Sequence, residues 1–146
     1  ADVNLAVNLA ALAGTQEEYE YYYDLVFDRL DWLEERLSSR RYLMGDTITS
    51  PDIRLFVTLT RFDLVFYQKY LLNKKRLVDY PNLWNYAKDL FSNPAFGGNT
   101  DFNSMRLRFY YVDHTPFADM PRLMPKGPDD SRWLEPNDRA EKFSKK

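Results

Sequence analysis

The 146-residue chain contains no cysteine, so disulfides, thiolate metal sites and cysteine nucleophiles are excluded within it. It has one histidine, His114, too few for a histidine metal cluster. A Ser/His/Asp triad is unsupported, and no metal site is expected. Only five glycines occur, and none falls in a GxGxxG or GxxxxGK(S/T) pattern that would cradle a phosphate. No run approaches the roughly 20 apolar residues of a membrane-spanning helix. The start lacks the basic-then-apolar order of a signal peptide. Membrane insertion is therefore not expected, and an intracellular compartment, cytoplasm or organelle, is. Excess charge of one sign is lacking too: 20 Lys and Arg against 22 Asp and Glu leave a net of −2. That balance gives no unaided attraction to nucleic acid, which is not an expected partner.

What is present is aromatic side chain: 11 Tyr, 10 Phe and 3 Trp, enough for a core with hydroxyls left at its edges. The length suits one domain. The sequence opens at Ala1 rather than Met, directly in an apolar stretch from Leu5 to Leu12. It is read as a piece of a longer protein or a processed chain. Residues 1–14 are expected to be a segment entering a helical domain over 15–111.

Thr15 and Glu18 have capping-box spacing, and Glu17, Glu18 and Glu20 suit the positive end of a helix dipole. Tyr19, Tyr23, Val26, Leu30, Leu33 and Leu37 then recur at steps of three and four, which predicts one buried stripe. Residues 15–37 carry eight acidic and two basic side chains, which fall largely on other faces and suit a solvated surface. The next helix has a sharp start. Thr49 is its N-cap, Ser50 and Pro51 its first two residues, and Asp52 the reciprocal acceptor at N3. Ile48 and Ile53 have the spacing of a hydrophobic staple. Apolar residues continue on several faces through Tyr67, which predicts a core helix. Pro81 opens another helix, Asn93-Pro94 ends it, and Thr100 or Asp101 can cap a further one through about Tyr111. Beyond that, five prolines from Pro116 to Pro136 break any helical period. Residues 112–146 are expected to form an extended wrap over the helices, anchored by apolar residues such as Met124, Trp133 and Leu134. The class is all-α.

The run Arg41-Tyr42-Leu43-Met44-Gly45-Asp46, succeeded by Ile48-Thr49-Ser50-Pro51-Asp52-Ile53, resembles the C-terminal helical-bundle domain of glutathione transferases. Four further stretches narrow the likeness. They are Thr58-Leu59-Thr60-Arg61-Phe62-Asp63, Asp79-Tyr80-Pro81-Asn82-Leu83-Trp84-Asn85-Tyr86, Tyr110-Tyr111 with His114, and Glu135-Pro136-Asn137-Asp138-Arg139. Together they resemble the xi class, the glutathionyl-hydroquinone reductases.

The resemblance implies a two-domain enzyme. A thioredoxin-like domain, absent from this chain, binds glutathione as substrate and carries a nucleophilic cysteine. That cysteine attacks the thioether sulfur of a glutathionyl-hydroquinone and releases hydroquinone, and a second glutathione then frees the enzyme. The helical domain supplies most of the quinone side of the pocket and much of a dimer contact. Without a cysteine this chain cannot form the mixed disulfide, so alone it is expected to be inactive.

The resemblance also places site residues. Tyr110 matches a pocket tyrosine, with Tyr111 as the alternative, and its phenol suits a hydroquinone oxygen and ring. Asn8 stands where the family has a second tyrosine and can offer only an amide. His114 is expected to be structural, and Arg61 with Asp63 to form a buried ion pair. The competing reading is a non-catalytic interaction module, a subunit of a larger assembly, with Tyr21, Tyr22 or Trp32 covered by a partner. A free-standing binder of small aromatic molecules is a third.

Overall fold

The computed structural model describes residues 2–111 and 123–144; His114 and the loop at 115–119 lie outside the described residues. Among the described residues there is no strand, and the class is all-α. The segment at 1–14 that enters the bundle itself holds a helix. Val3–Ala11 form helix α1, capped by Asp2, whose carboxylate accepts from the Asn4 amide at 3.0 Å. The physical reason is periodic: Val3, Ala6, Val7 and Ala10 fall on one helical face and are buried against α2, Gln16–Ser38.

Helix α2 starts at Thr15, whose hydroxyl accepts from the Glu18 amide at 3.1 Å. The Glu18 carboxylate reaches past Thr15 and accepts from the Gly14 amide at 2.9 Å. Val26, Phe27, Leu30, Leu33 and Leu37 are its buried stripe. Tyr19 and Tyr23 are half-buried at its upper end, Tyr19 donating to the Leu71 carbonyl at 2.6 Å. The connection to α3 turns at Gly45, whose φ of +131° is a conformation that disfavours any side chain.

Helix α3, Ser50–Arg61, is the core helix, with Leu55, Phe56, Thr58, Leu59 and Thr60 buried. It passes into a π-helical turn, Phe62–Phe66, and is not regular through Tyr67. A 3₁₀ turn at Leu77–Asp79 leads to α4, Pro81–Ser92. Short helices α5, Pro94–Gly97, and α6, Phe102–Arg106, come next; Asp101 caps α6, which also ends in a π turn, Leu107–Tyr111. The described tail holds a 3₁₀ turn, Asp130–Leu134, and a last short helix α7, Arg139–Lys142.

Two tail residues fasten it to the bundle. Trp133 inserts among Trp84, Phe91, Phe102 and Phe56, with ring centroids 4.9 to 6.3 Å away. Arg139 is 1% exposed. Its guanidinium donates to the carbonyls of Leu37, Arg40, Arg41 and Asn82. It thereby satisfies the Leu37 carbonyl, which the end of α2 leaves without a helical partner, and ties the following loop and the start of α4 to the tail. Burial holds its pKa below the usual arginine value, and the nearby Asp89 carboxylate opposes that shift. No helix among the described residues is long and apolar enough to cross a membrane.

Candidate functional site

The start of α3 is built around one buried carboxylate. Asp52 is 0% exposed. Its Oδ2 accepts from the Thr49 amide at 2.9 Å and the Thr49 hydroxyl at 2.8 Å. Its Oδ1 accepts from the Leu43 amide at 2.9 Å and the Tyr86 hydroxyl at 2.8 Å. Burial and the neighbouring carboxylate push the Tyr86 phenol far up, so it remains a donor. The capping box therefore also locks the connecting loop and α4 onto α3. Ile48 packs half-buried on the core, whereas Ile53 keeps 53% of its surface exposed.

Arg61 and Asp63 do not pair. Arg61 donates to the Val57 carbonyl at 2.6 Å. Asp63 accepts from the amides of Leu77 at 2.5 Å and Val78 at 3.4 Å, capping the 3₁₀ turn. Residues two apart on a helix point to nearly opposite faces, so the two side chains turn away from each other. Burial pushes the Asp63 carboxyl up, and the two amide donors pull against that.

Tyr110 lies in the π turn at the end of α6 and is half-buried. Its hydroxyl donates to the Leu64 carbonyl at 2.7 Å, joining the two π turns. Burial raises its pKa, so the phenol is neutral. The Lys69 ammonium sits 5.6 Å from the Tyr110 ring centroid and donates to the Phe109 carbonyl. Lys69 also lines an open cleft of about 350 Å³ between the end of α1, the start of α2 and Tyr70-Leu71. Its other walls include Ala10, Ala13, Gln16 and Tyr19. Tyr111 is 42% exposed. Asn8 is exposed on α1, its amide donating to the Asn4 carbonyl at 2.9 Å. It does not line that cleft, although Ala10 and Ala11, two and three residues further along α1, do. Lys69 and Tyr70 were not singled out by sequence, and Tyr19 was placed only in a buried stripe. Nothing in their spacing marks them, because the walls of the cleft are drawn from separate stretches of chain.

Helices α1 and α3 are joined side by side. The Asn4 side chain donates to the Arg54 carbonyl at 3.1 Å and accepts from the Thr58 hydroxyl at 2.5 Å. Outside that seam, apolar side chains face solvent: Leu5 on α1 and Leu12 at its C-cap, Ile53 and Val57 on α3. Residues seven apart on one helix, and four apart on the other, share a face. Among the described residues no group of three or more His, Cys, Asp or Glu could hold a metal ion.

A helical bundle built round a capped core helix matches a known domain. The family model for the glutathione S-transferase C-terminal domain matches residues 16–89, and the chain belongs to that family. Its relatives are glutathionyl-hydroquinone reductases and xi-class glutathione transferases. The glutathionyl-hydroquinone reductase PcpF of Sphingobium chlorophenolicum is 38% identical over 126 residues, 86% of this chain and 40% of the relative. The glutathionyl-hydroquinone reductase YqjG of Escherichia coli is 36% identical over 108 residues, 74% of this chain and 33% of the relative. A crystal structure of a glutathione transferase from Gordonia bronchialis superposes with a TM-score of 0.91 at 44% identity, covering 99% of this chain and 44% of that one. The glutathione-bound structure of YqjG superposes with a TM-score of 0.89 at 32% identity, covering 97% of this chain and 45% of that one. The chain thus spans about 40% of the length of the curated relatives it matches, in their C-terminal part.

Proposed function

We propose that this chain is the helical substrate and dimerisation domain of a glutathionyl-hydroquinone reductase-like protein. The observation that carries the reading is the likeness to PcpF over 86% of this chain but only 40% of that enzyme, in a chain without cysteine. The thioredoxin-like domain would hold glutathione and supply the thiol. It would dock on the α1–α3 face, where Leu5, Leu12, Ile53 and Val57 are otherwise left to water.

This chain's contribution is to bind and orient the hydroquinone. The Tyr110 proton is committed to the Leu64 carbonyl, so its oxygen presents lone pairs. A ring hydroxyl of the hydroquinone would donate to that oxygen. The Lys69 ammonium beside the Tyr110 ring would favour an anionic glutathionyl group at the cleft. Asn8, on α1 near the cleft, would offer a hydrogen bond but no stacking face. Tyr111 would stand at the exposed rim.

The test is glutathione-dependent release of hydroquinone from a glutathionyl-hydroquinone. The 146-residue chain alone gives none. The parent polypeptide with its cysteine-bearing domain turns over, and Tyr110→Phe lowers its kcat/KM about five- to tenfold. An inactive parent would instead support the interaction-module reading, which the exposure of Tyr21 (65%) and Trp32 (50%) on α2 favours.

A further inference from the structure

The Leu64 carbonyl that takes the Tyr110 proton belongs to a π turn with another side-chain donor beside it. Gln68 is exposed, two residues beyond that turn. Its amide nitrogen lies 3.0 Å from the Asp63 carbonyl and 3.5 Å from the Leu64 carbonyl. The same nitrogen is 3.1 Å from the Gly127 carbonyl, 59 residues away in the tail. A primary amide has two N–H donors, so Gln68 can serve the π turn and the tail together.

The same tail segment is gripped a second time. Arg106 is 8% exposed, and its guanidinium donates to both Asp130 carboxylate oxygens, at 2.6 and 2.7 Å, and to the Pro128 carbonyl at 3.2 Å. A bidentate pair of this kind fixes direction as well as distance. Arg106 ends α6, one helical turn before Tyr110. Residues 127–130 therefore bridge the π turn after α3 and the end of α6, the two elements that the Tyr110–Leu64 bond also joins. The bonds close a ring: Tyr110 to Leu64, Gln68 to Gly127, and Arg106 to Asp130. One phenol-to-carbonyl bond by itself favours its geometry only about two- to tenfold, so the other links of the ring matter to where the phenol stays.

We propose that Gln68 is a positioning residue for the hydroquinone reaction, tying the tail across the two π turns so that the Tyr110 hydroxyl stays on the Leu64 carbonyl. This role rests on Tyr110 meeting the hydroquinone, as proposed above. With its proton committed to Leu64, the Tyr110 oxygen points its lone pairs at the substrate only while the two π turns keep their spacing. A displacement of about 1 Å at such a group is enough to lower a rate. Gln68 and Asp130 do not line the cleft that Lys69 borders, so their effect runs through Tyr110.

The experiment is a double-mutant cycle in the parent polypeptide, read as kcat/KM for glutathione-dependent release of hydroquinone. Gln68→Met keeps the length of the side chain and removes both donors. It should lower kcat/KM about three- to fivefold in the otherwise unsubstituted parent, and by less than about 1.5-fold in the Tyr110→Phe background. Asp130→Asn weakens the Arg106 pair at the other end of the tail segment and should show the same dependence on Tyr110. An equal loss in the two backgrounds for either variant overturns the proposal, because a residue that only stabilises the fold acts whether or not the phenol is present. An unchanged kcat/KM in Gln68→Met, with Tyr110→Phe still impaired, overturns it too and leaves the reading of Tyr110 standing. If Tyr110→Phe itself has no effect, the reading of Tyr110 fails and the role of Gln68 falls with it.

Discussion

Asp52 is fully buried and accepts four hydrogen bonds, so replacing it isolates what one carboxylate does for three chain segments. Asp52→Ala strands the Leu43 amide, the Thr49 amide and hydroxyl, and the Tyr86 hydroxyl. Buried donors left unsatisfied cost about 1–3 kcal/mol each, but the two hydroxyls can turn to other acceptors. The expected loss is therefore about 4 kcal/mol, set mainly by the two fixed amides. Asp52→Asn is the sharper perturbation. Its one oxygen can serve one pair of donors, and its NH₂ group must face the other pair. In either orientation the NH₂ meets one backbone N–H, which cannot turn, and one hydroxyl, which can rotate to accept. One donor–donor conflict plus the lost charge gives about 2–3 kcal/mol. Tyr86→Phe removes a single bond and leaves the carboxylate three donors, costing about 1 kcal/mol. The order is Tyr86→Phe, then Asp52→Asn, then Asp52→Ala. At roughly 3 °C per kcal/mol for a chain of this size, Asp52→Ala should lower Tm by about 12 °C. Urea unfolding monitored by tryptophan fluorescence and circular dichroism reads all three. An Asp52→Ala cost below about 1 kcal/mol, or an Asp52→Asn cost exceeding it, would refute the reasoning.

Three further outcomes are expected. Trp133→Ala should cost about 3–5 kcal/mol in urea unfolding, because the ring fills a space shared by Trp84, Phe91, Phe102 and Phe56; a loss of under about 1 kcal/mol would show that the tail is not part of the core. Arg139→Ala should cost about 3 kcal/mol by releasing four carbonyls, and Arg139→Lys should not rescue it, because an ammonium lacks the planar fork that spans them; full rescue by lysine would refute the fork argument. Asp63 should titrate above the ordinary value of 3.8 in a carboxyl-carbon NMR titration, since burial outweighs its amide donors. The native state then holds the Asp63 proton more tightly than the unfolded chain does. The group's contribution to stability is thus fully present below the unfolded value and is lost as pH rises through the folded one; a folded value below 3.8 would reverse that sign.

Sequence and structure agree most closely where the signal is local. Thr15 with Glu18, Thr49 with Asp52, and Pro81 each mark a helix start, because a cap acts over three or four residues. The stripe from Val26 to Leu37 is legible for a similar reason: burial on α2 keeps to a period of 3.6 residues. The family was legible because its motifs are contiguous runs, and the match over 16–89 contains several of them. Helix α1 was missed, although Asp2 caps it and its Val3, Ala6, Val7 and Ala10 carry the same periodicity, because so short an apolar stretch also suits a connecting segment.

The candidate site was legible only in part. Tyr110 could be named from the family pattern, but not that its proton goes to Leu64 or that Lys69 stands beside its ring. Arg61 and Asp63 stand two residues apart, a spacing that puts them on nearly opposite faces of a helix, and each meets a different stretch of backbone. Glu34 shows the same limit: its carboxylate accepts from the Asn82 and Leu83 amides and so caps α4 from α2, 48 residues away. What the sequence by itself determined is the helical class, the principal helix starts and the buried face of α2, all set by interactions within one or two turns. Only the tertiary structure decided where Asp52, Asp63, Glu34 and Arg139 deliver their hydrogen bonds, and which side chains wall the cleft. Those partners come from elements whose mutual placement depends on packing across the whole chain.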